Sequence, residues 1–219
     1  MLTLENTSTA EINALKDEMV ETVKFLHARG WAPATSSNYS FRVPNENNFW
    51  ISLSGIDKIT FTRDHLMLIN EVAKPLIDQT QRASAETLLH LLIYENSDVN
   101  AVLHTHTVNN TVLSLAHEAE GGIYLNGYEV LKGIKGNTTH EATVFLPIFS
   151  NSQDMKSLSA EIKEYWKKHP DMPGFLLAGH GLYCWGETIS EAKRHIEVFE
   201  FLFDCTIKLK LYGHTQYSR

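Results

Sequence analysis

Short apolar runs recur along this chain, and their length is what most limits the fold. FWISL, MLI, AVL, TVFLPIF, GFLL and LYCW are each three to seven residues long. That is the length of a strand, far below the roughly 18 apolar residues of a membrane-spanning helix, so no segment is expected to cross a membrane. Between these runs lie stretches with helical spacing. Ser8 and Glu11 have capping-box spacing, and Ile12, Leu15, Met19, Val23 and Leu26 follow at helical intervals up to Gly30. AETLLHLLIYENS, with Ser84 as its cap, reads as a buried helix, and TVNNTVLSLAH as another. SQDMKSLSAEIKEYWKK, stopped by Pro170, is amphipathic, and Thr188 and Glu191 open a long helix through EAKRHIEVFEFLFDCTIKLKL. TSSNYSFRV and FWISLSG read as strands joined by PNENN, MLIN and KPLID as short strands, and GGIYLNGYEVLKGIKGNTTHEA as a Gly-rich loop. Helices alternating with many short strands point to one layered α/β domain over residues 1–219.

Charge narrows the partners. With 19 basic and 26 acidic residues, the net charge of −7 offers no electrostatic footprint for nucleic acid. Any phosphate must be held locally, by backbone amides, hydroxyls and few cations. Cys184 and Cys205 are the only cysteines, too few for a disulfide framework, which favours a reducing compartment. MLTLENTSTAEIN has neither a basic nor an apolar leader region, so a cytoplasmic protein is expected.

Eleven histidines are present. His27, His65, His117, His169, His195 and His214 lie in polar or helix-end contexts and read as surface residues, and His90, on the buried helix, as a satisfied core histidine. His104 and His106 differ. They end the apolar run AVLHTH two residues apart, so on a strand both imidazoles face one side. His180, in LLAGHGLY, ends another apolar run between two glycines that permit close approach and unusual dihedrals. Three histidines with an open fourth position describe a catalytic zinc site. Glu86, at a helix start, and Glu129, in NGYEVLKG, are the carboxylates that could move a proton beside such a metal. Ser37, Asn38, Ser54, Gly55 and Ser84, with Lys58, are the small polar groups suited to a phosphate.

TSSNYSFR, ISLSG, SAE, HTH and GHG, in this order, resemble the class II aldolase/epimerase (adducin-like) family over about residues 10–211. The family pattern has glycine where this chain has Ser37. The resemblance implies a three-layer α/β/α domain around a mostly antiparallel sheet, one zinc per subunit on His104, His106 and His180, and a homotetramer with sites between subunits. HTHTVNNTVLS, GYEVLKGI and GHGLYCWGETISEAKRHIEVFEFLFD carry a narrower likeness, to the family's dehydratase branch of methionine salvage. That branch implies loss of water from a thioether-bearing ketose 1-phosphate, with Glu129 as the acid/base and Glu86 as a substrate-pocket residue beside the phosphate-holding Ser37, Asn38, Ser54, Gly55 and Ser84. A pKa of Glu129 raised by desolvation would suit that role. The same resemblance leaves open an aldolase or epimerase acting on another ketose phosphate, and a binding module without a metal. Tyr212 and Tyr217 are the C-terminal residues that could reach a neighbouring subunit.

Overall fold

The computed structural model describes residues 8–78, 80 and 83–213, so His214 and Tyr217 lie outside the described residues. Eight strands form one sheet: β1 Asn38–Arg42, β2 Phe49–Ser52, β3 Leu66–Ile69, β4 Ala101–Thr105, β5 Gly122–Asn126, β6 Thr143–Phe149, β7 Gly174–Leu177 and β8 Gly181–Gly186. Their order is β3-β2-β1-β4-β8-β7-β6-β5, and every pairing is antiparallel except β6 with β7. Helices α1 Thr9–Ala28, α3 Val108–Ala116 and α5 Ile189–Leu211 cover one face, and α2 Thr87–Asn96 and α4 Met155–Lys168 cover the other. This is the expected three-layer α/β/α arrangement.

Most strands are buried along their whole length, because helices lie on both faces, which is why their sequences read as continuous apolar runs. The helix starts follow their caps. Ser8 accepts from the Glu11 amide at 3.2 Å and Glu11 accepts from the Ser8 amide at 2.8 Å. Arg42 ties α2 to the sheet: its guanidinium donates to the carbonyls of Ser97 and Val99, at 3.1 and 2.9 Å, just past the end of that helix.

Five details differ from the sequence expectations. KPLID forms only an isolated bridge, Ile69 to Pro75, because proline has no amide with which to extend a ladder. The Gly-rich segment 121–142 contains β5 and a 3-10 turn, Glu129–Gly133. Ser84 sits ahead of α2, where its hydroxyl accepts from the Glu86 amide at 3.3 Å, and Glu86 itself is the N-cap residue. Thr188 caps α5, but the Glu191 carboxylate turns to the Glu187 amide instead of closing a box. His195 is buried, not surface: Nδ1 donates to the Trp185 carbonyl at 2.8 Å and Nε2 accepts from the Lys135 amide at 3.1 Å.

Candidate active site

The register of β4 against β8 decides the site. His104 pairs with Tyr183 and Thr105 with Leu182, so the end of β4 lies beside the turn that joins β7 to β8. His106 follows directly after β4 and His180 occupies that turn. The three rings meet, with centroids 4.5 Å (His104–His106), 4.7 Å (His106–His180) and 5.0 Å (His104–His180) apart. One nitrogen from each lies within 4.8 Å of the others. The glycines flanking His180 make this possible. Gly179 has φ +64°, and a Cβ on Gly181 would come within 2.3 Å of the Thr105 carbonyl oxygen and 2.7 Å of His104 Cε1.

The donor set fits a divalent ion. A carbonyl can only accept, so His104 Nδ1, 3.0 Å from the Leu182 carbonyl, carries the proton and Nε2 keeps its lone pair. That Nε2 faces His180 Nε2 at 3.4 Å. Tyr183 stacks on the His104 ring at 3.9 Å and holds its plane. Burial, with the neighbouring His106 adding to it, keeps His104 neutral far below the usual histidine range. Burial and then the charge of His180 take His106 to about 4. Neutral imidazoles are the form a metal binds.

Glu86 reaches this cluster from α2. Its carboxylate is 3.1 Å from His180 Nε2 and 4.0 Å from His104 Nε2, and it accepts from the Asn38 amide. Burial alone would raise its pKa, but the His180 and His104 side chains that face it and the Asn38 amide outweigh it and hold the carboxyl at about 2. A first-turn acid ordinarily complements the helix dipole, whereas here it faces the histidines.

Beneath the histidines, Thr107 and Asn110 form a capping box that opens α3 directly after His106. Asn110 also donates to the Thr105 carbonyl at 3.2 Å, so the asparagine fixes the turn carrying His106. Glu200, buried on α5, accepts from Thr107 Oγ1 at 3.0 and 3.1 Å and from Asn110 Nδ2 at 3.3 Å. Burial pushes its carboxyl up to about 8, because two neutral donors offset little of the desolvation. On sequence Glu200 is one acid among several on a long helix, and its burial shows only once α5 packs on α3.

The residues proposed for phosphate have mixed surroundings. Ser37 has φ +73°, the left-handed conformation in which glycine carries no strain, and its buried hydroxyl has no hydrogen-bond partner among the described residues. Ser54 and Gly55 lie exposed in the turn after β2, beside the start of β1 at the histidine end. Lys58 is buried, its ammonium donating to the carbonyls of Thr35 and Ile56 at 3.1 and 2.9 Å. Asn38 has both ends of its amide engaged, by Glu86 and by His90.

Glu129 is not part of this cluster. Strand β5 runs antiparallel to β6, with Asn126 opposite Thr143, while the far end of β6 pairs Phe149 with Leu177, three residues before His180. The turn that follows β5 therefore emerges at the opposite end of the sheet from the histidines. Glu129 is exposed there, paired with Lys132 and 3.4 Å from His140. Lys132 lowers its pKa, the reverse of the rise expected from desolvation, because the carboxylate stands in water. A cleft of about 820 Å³ also lies at that end, between Lys135, Thr143, Pro173, Trp185 and Glu187.

Comparison with known proteins agrees with this geometry. The model of the class II aldolase and adducin N-terminal domain matches residues 17–207. A protein from Marinobacter nauticus named methylthioribulose-1-phosphate dehydratase is 44% identical over 191 residues, 87% of this chain and 91% of that one. One of the same name from Sorangium cellulosum is 40% identical over 207 residues, covering 94% and 97%. Among solved structures, L-fuculose-1-phosphate aldolase from Thermus thermophilus superposes with a TM-score of 0.74 at 19% identity, over 92% of this chain and 98% of that one. YgbL from Escherichia coli, a putative aldolase/epimerase/decarboxylase, gives 0.72 at 22% identity, over 90% of each. At such identities those two likenesses speak for the fold alone. With the family model spanning the sheet and all three histidines, and the 40–44% identities extending over most of the chain, this protein belongs to the class II aldolase and adducin family.

Proposed function

We propose that this chain is a zinc-dependent dehydratase that converts 5-methylthioribulose 1-phosphate into 2,3-diketo-5-methylthiopentyl 1-phosphate and water in methionine salvage. It would work in the cytoplasm as a homotetramer of single-domain subunits. The observation that carries the reading is the convergence of His104, His106 and His180, with burial keeping His104 and His106 neutral, in a chain 40–44% identical to proteins bearing the dehydratase name.

Those three histidines would hold one zinc, which as a Lewis acid polarises the C2 carbonyl and acidifies the C3 proton, a contribution of several kcal/mol. Glu86, at the rim of the cluster, would accept a hydrogen bond from a substrate hydroxyl. Ser37, Ser54, Gly55 and Ser84 would anchor the phosphate, with Asn38 acting on it through the loop it organises. Glu129 would take the C3 proton and return it to the departing C4 hydroxyl, so that water leaves and the resulting enol tautomerises to the diketone. Because Glu129 stands at the far end of its own sheet, it would serve the histidines of a neighbouring copy. In that contact it would lose water and with it the low pKa of the exposed carboxylate.

Incubating the zinc-loaded protein with 5-methylthioribulose 1-phosphate tests the reading. The diketone is the expected product. An aldehyde and dihydroxyacetone phosphate instead would make the protein a retro-aldolase on the same scaffold.

A further inference from the structure

Behind Glu86 runs a buried series of polar side chains whose proton positions follow from chemistry. Ionised, Glu86 can only accept, so Asn38 turns its Nδ2 toward Glu86 Oε2 and its Oδ1 away. His90 Nε2 meets that Oδ1 and must carry the proton. His90 Nδ1 is then a lone pair, and the Ser40 hydroxyl, 2.7 Å away, donates to it. With its one proton used, Ser40 Oγ accepts from the Tyr94 hydroxyl at 2.8 Å. Tyr94, Ser40, His90 and Asn38 therefore all donate in one direction, toward Glu86.

None of these contacts is fortuitous in position. Asn38 and Ser40 are two apart on β1 and share a face, and His90 and Tyr94 are four apart on α2, so two pairs of side chains interlock between sheet and helix. Ser40 and His90 are fully buried, and Asn38 and Tyr94 nearly so. Burial holds His90 neutral, at about 3, so it keeps one proton and one lone pair through the physiological range. A series of aligned donors in a dry interior polarises each successive bond.

We propose that His90, backed by Ser40 and Tyr94, is a positioning residue: it locks the Asn38 amide, and the locked amide holds the Glu86 carboxylate in one orientation at the histidine cluster. The inference rests on the reading that Glu86 acts in the site. It gives Asn38 the task of orienting Glu86 and separates its side chain from direct phosphate binding.

Four variants test it: His90→Leu, His90→Gln, Ser40→Ala and Glu86→Gln, each checked for melting temperature and zinc content. Gln can replace both roles of His90, accepting from Ser40 and donating to Asn38, whereas Leu replaces neither. Folded, zinc-loaded His90→Leu is expected to lose about 10–100-fold in kcat with little change in KM, and His90→Gln to recover most of it. Imidazole ¹⁵N spectra, which need no substrate, should show His90 as the Nε2–H tautomer from about pH 5 to 8, and as a tautomer mixture in Ser40→Ala. Full kcat in His90→Leu, equal damage in the Leu and Gln variants, or an Nδ1–H tautomer in the parent protein would each overturn the proposal. If Glu86→Gln is fully active, the assigned role of Glu86 fails and the proposal falls with it. If Glu86→Gln is impaired while His90→Leu is not, only the positioning role of His90 falls.

Discussion

The two ends of the sheet are built on different principles. At one end the β4 terminus, the β7–β8 turn and the starts of α2 and β1 bring His104, His106, His180, Glu86 and Asn38 together, largely out of water, with His104 and Glu86 held by set partners. At the other, Glu129 sits on an exposed 3-10 turn among surface charges, at the same end of the sheet as a cleft. The first end is preorganised to hold a cation. The second carries a carboxylate exposed to water and paired with Lys132. Burial makes the difference: it keeps His104 and His106 neutral, while exposure leaves Glu129 a carboxylate in water whose pKa Lys132 lowers.

Substitutions that strike one end should leave the other intact. If His180 is a ligand as proposed, His180→Ala should cost roughly 10⁴-fold in kcat/KM together with bound metal, measured by activity and metal analysis. Glu129→Gln should cost about 10²–10³-fold in kcat with zinc content and melting temperature unchanged, since its side chain supports no core. Loss of zinc in Glu129→Gln would erase the distinction between the two ends. Gly181→Ala probes the histidine end without touching a functional group. The Cβ would collide with the Thr105 carbonyl and His104, so destabilisation of about 3 kcal/mol in a denaturant titration and weaker zinc binding are expected.

The smallest expected effect concerns Glu200 and depends on pH. Its native carboxyl, at about 8, holds a proton that the unfolded chain releases near its ordinary value, so native-state stability falls as pH rises between those two values. Thr107, Asn110 and, one turn along α5, Asp204 are the groups acting on it. Glu200→Gln keeps the hydrogen-bonding shape without the titration and should gain on the order of 1–3 kcal/mol over the parent above pH 8. Parallel stability curves from pH 5 to 9 would show that the carboxyl is ionised in the fold.

Much of the histidine end was legible in the sequence. Two histidines at strand spacing after AVL share a face, and the glycines around His180 announce a tight approach that β4–β8 pairing then requires. The layered fold was legible too, from strand-length apolar runs between capped helices. What stayed hidden depends on packing between distant elements. Glu86 was legible as a candidate carboxylate at a helix start, but its turn toward His180 arises only when α2 lies across β1. His195 read as a surface residue and Glu200 carried no signal of its own, and their burial follows from how α5 packs against α3 and β8. The position of Glu129 at the opposite end is a matter of strand direction, since β5 must run against β6, and a local pattern such as GYEVLKG carries no such information.

Mixing tests the two-ended account most directly. His180→Ala and Glu129→Gln, each inactive alone, are unfolded and refolded together so that hybrid oligomers form. If the histidines of one copy work with Glu129 of the next, random mixing restores up to about a quarter of the parental activity. Activity no greater than that of the two variants refolded separately would contradict the account and confine each site to a single chain.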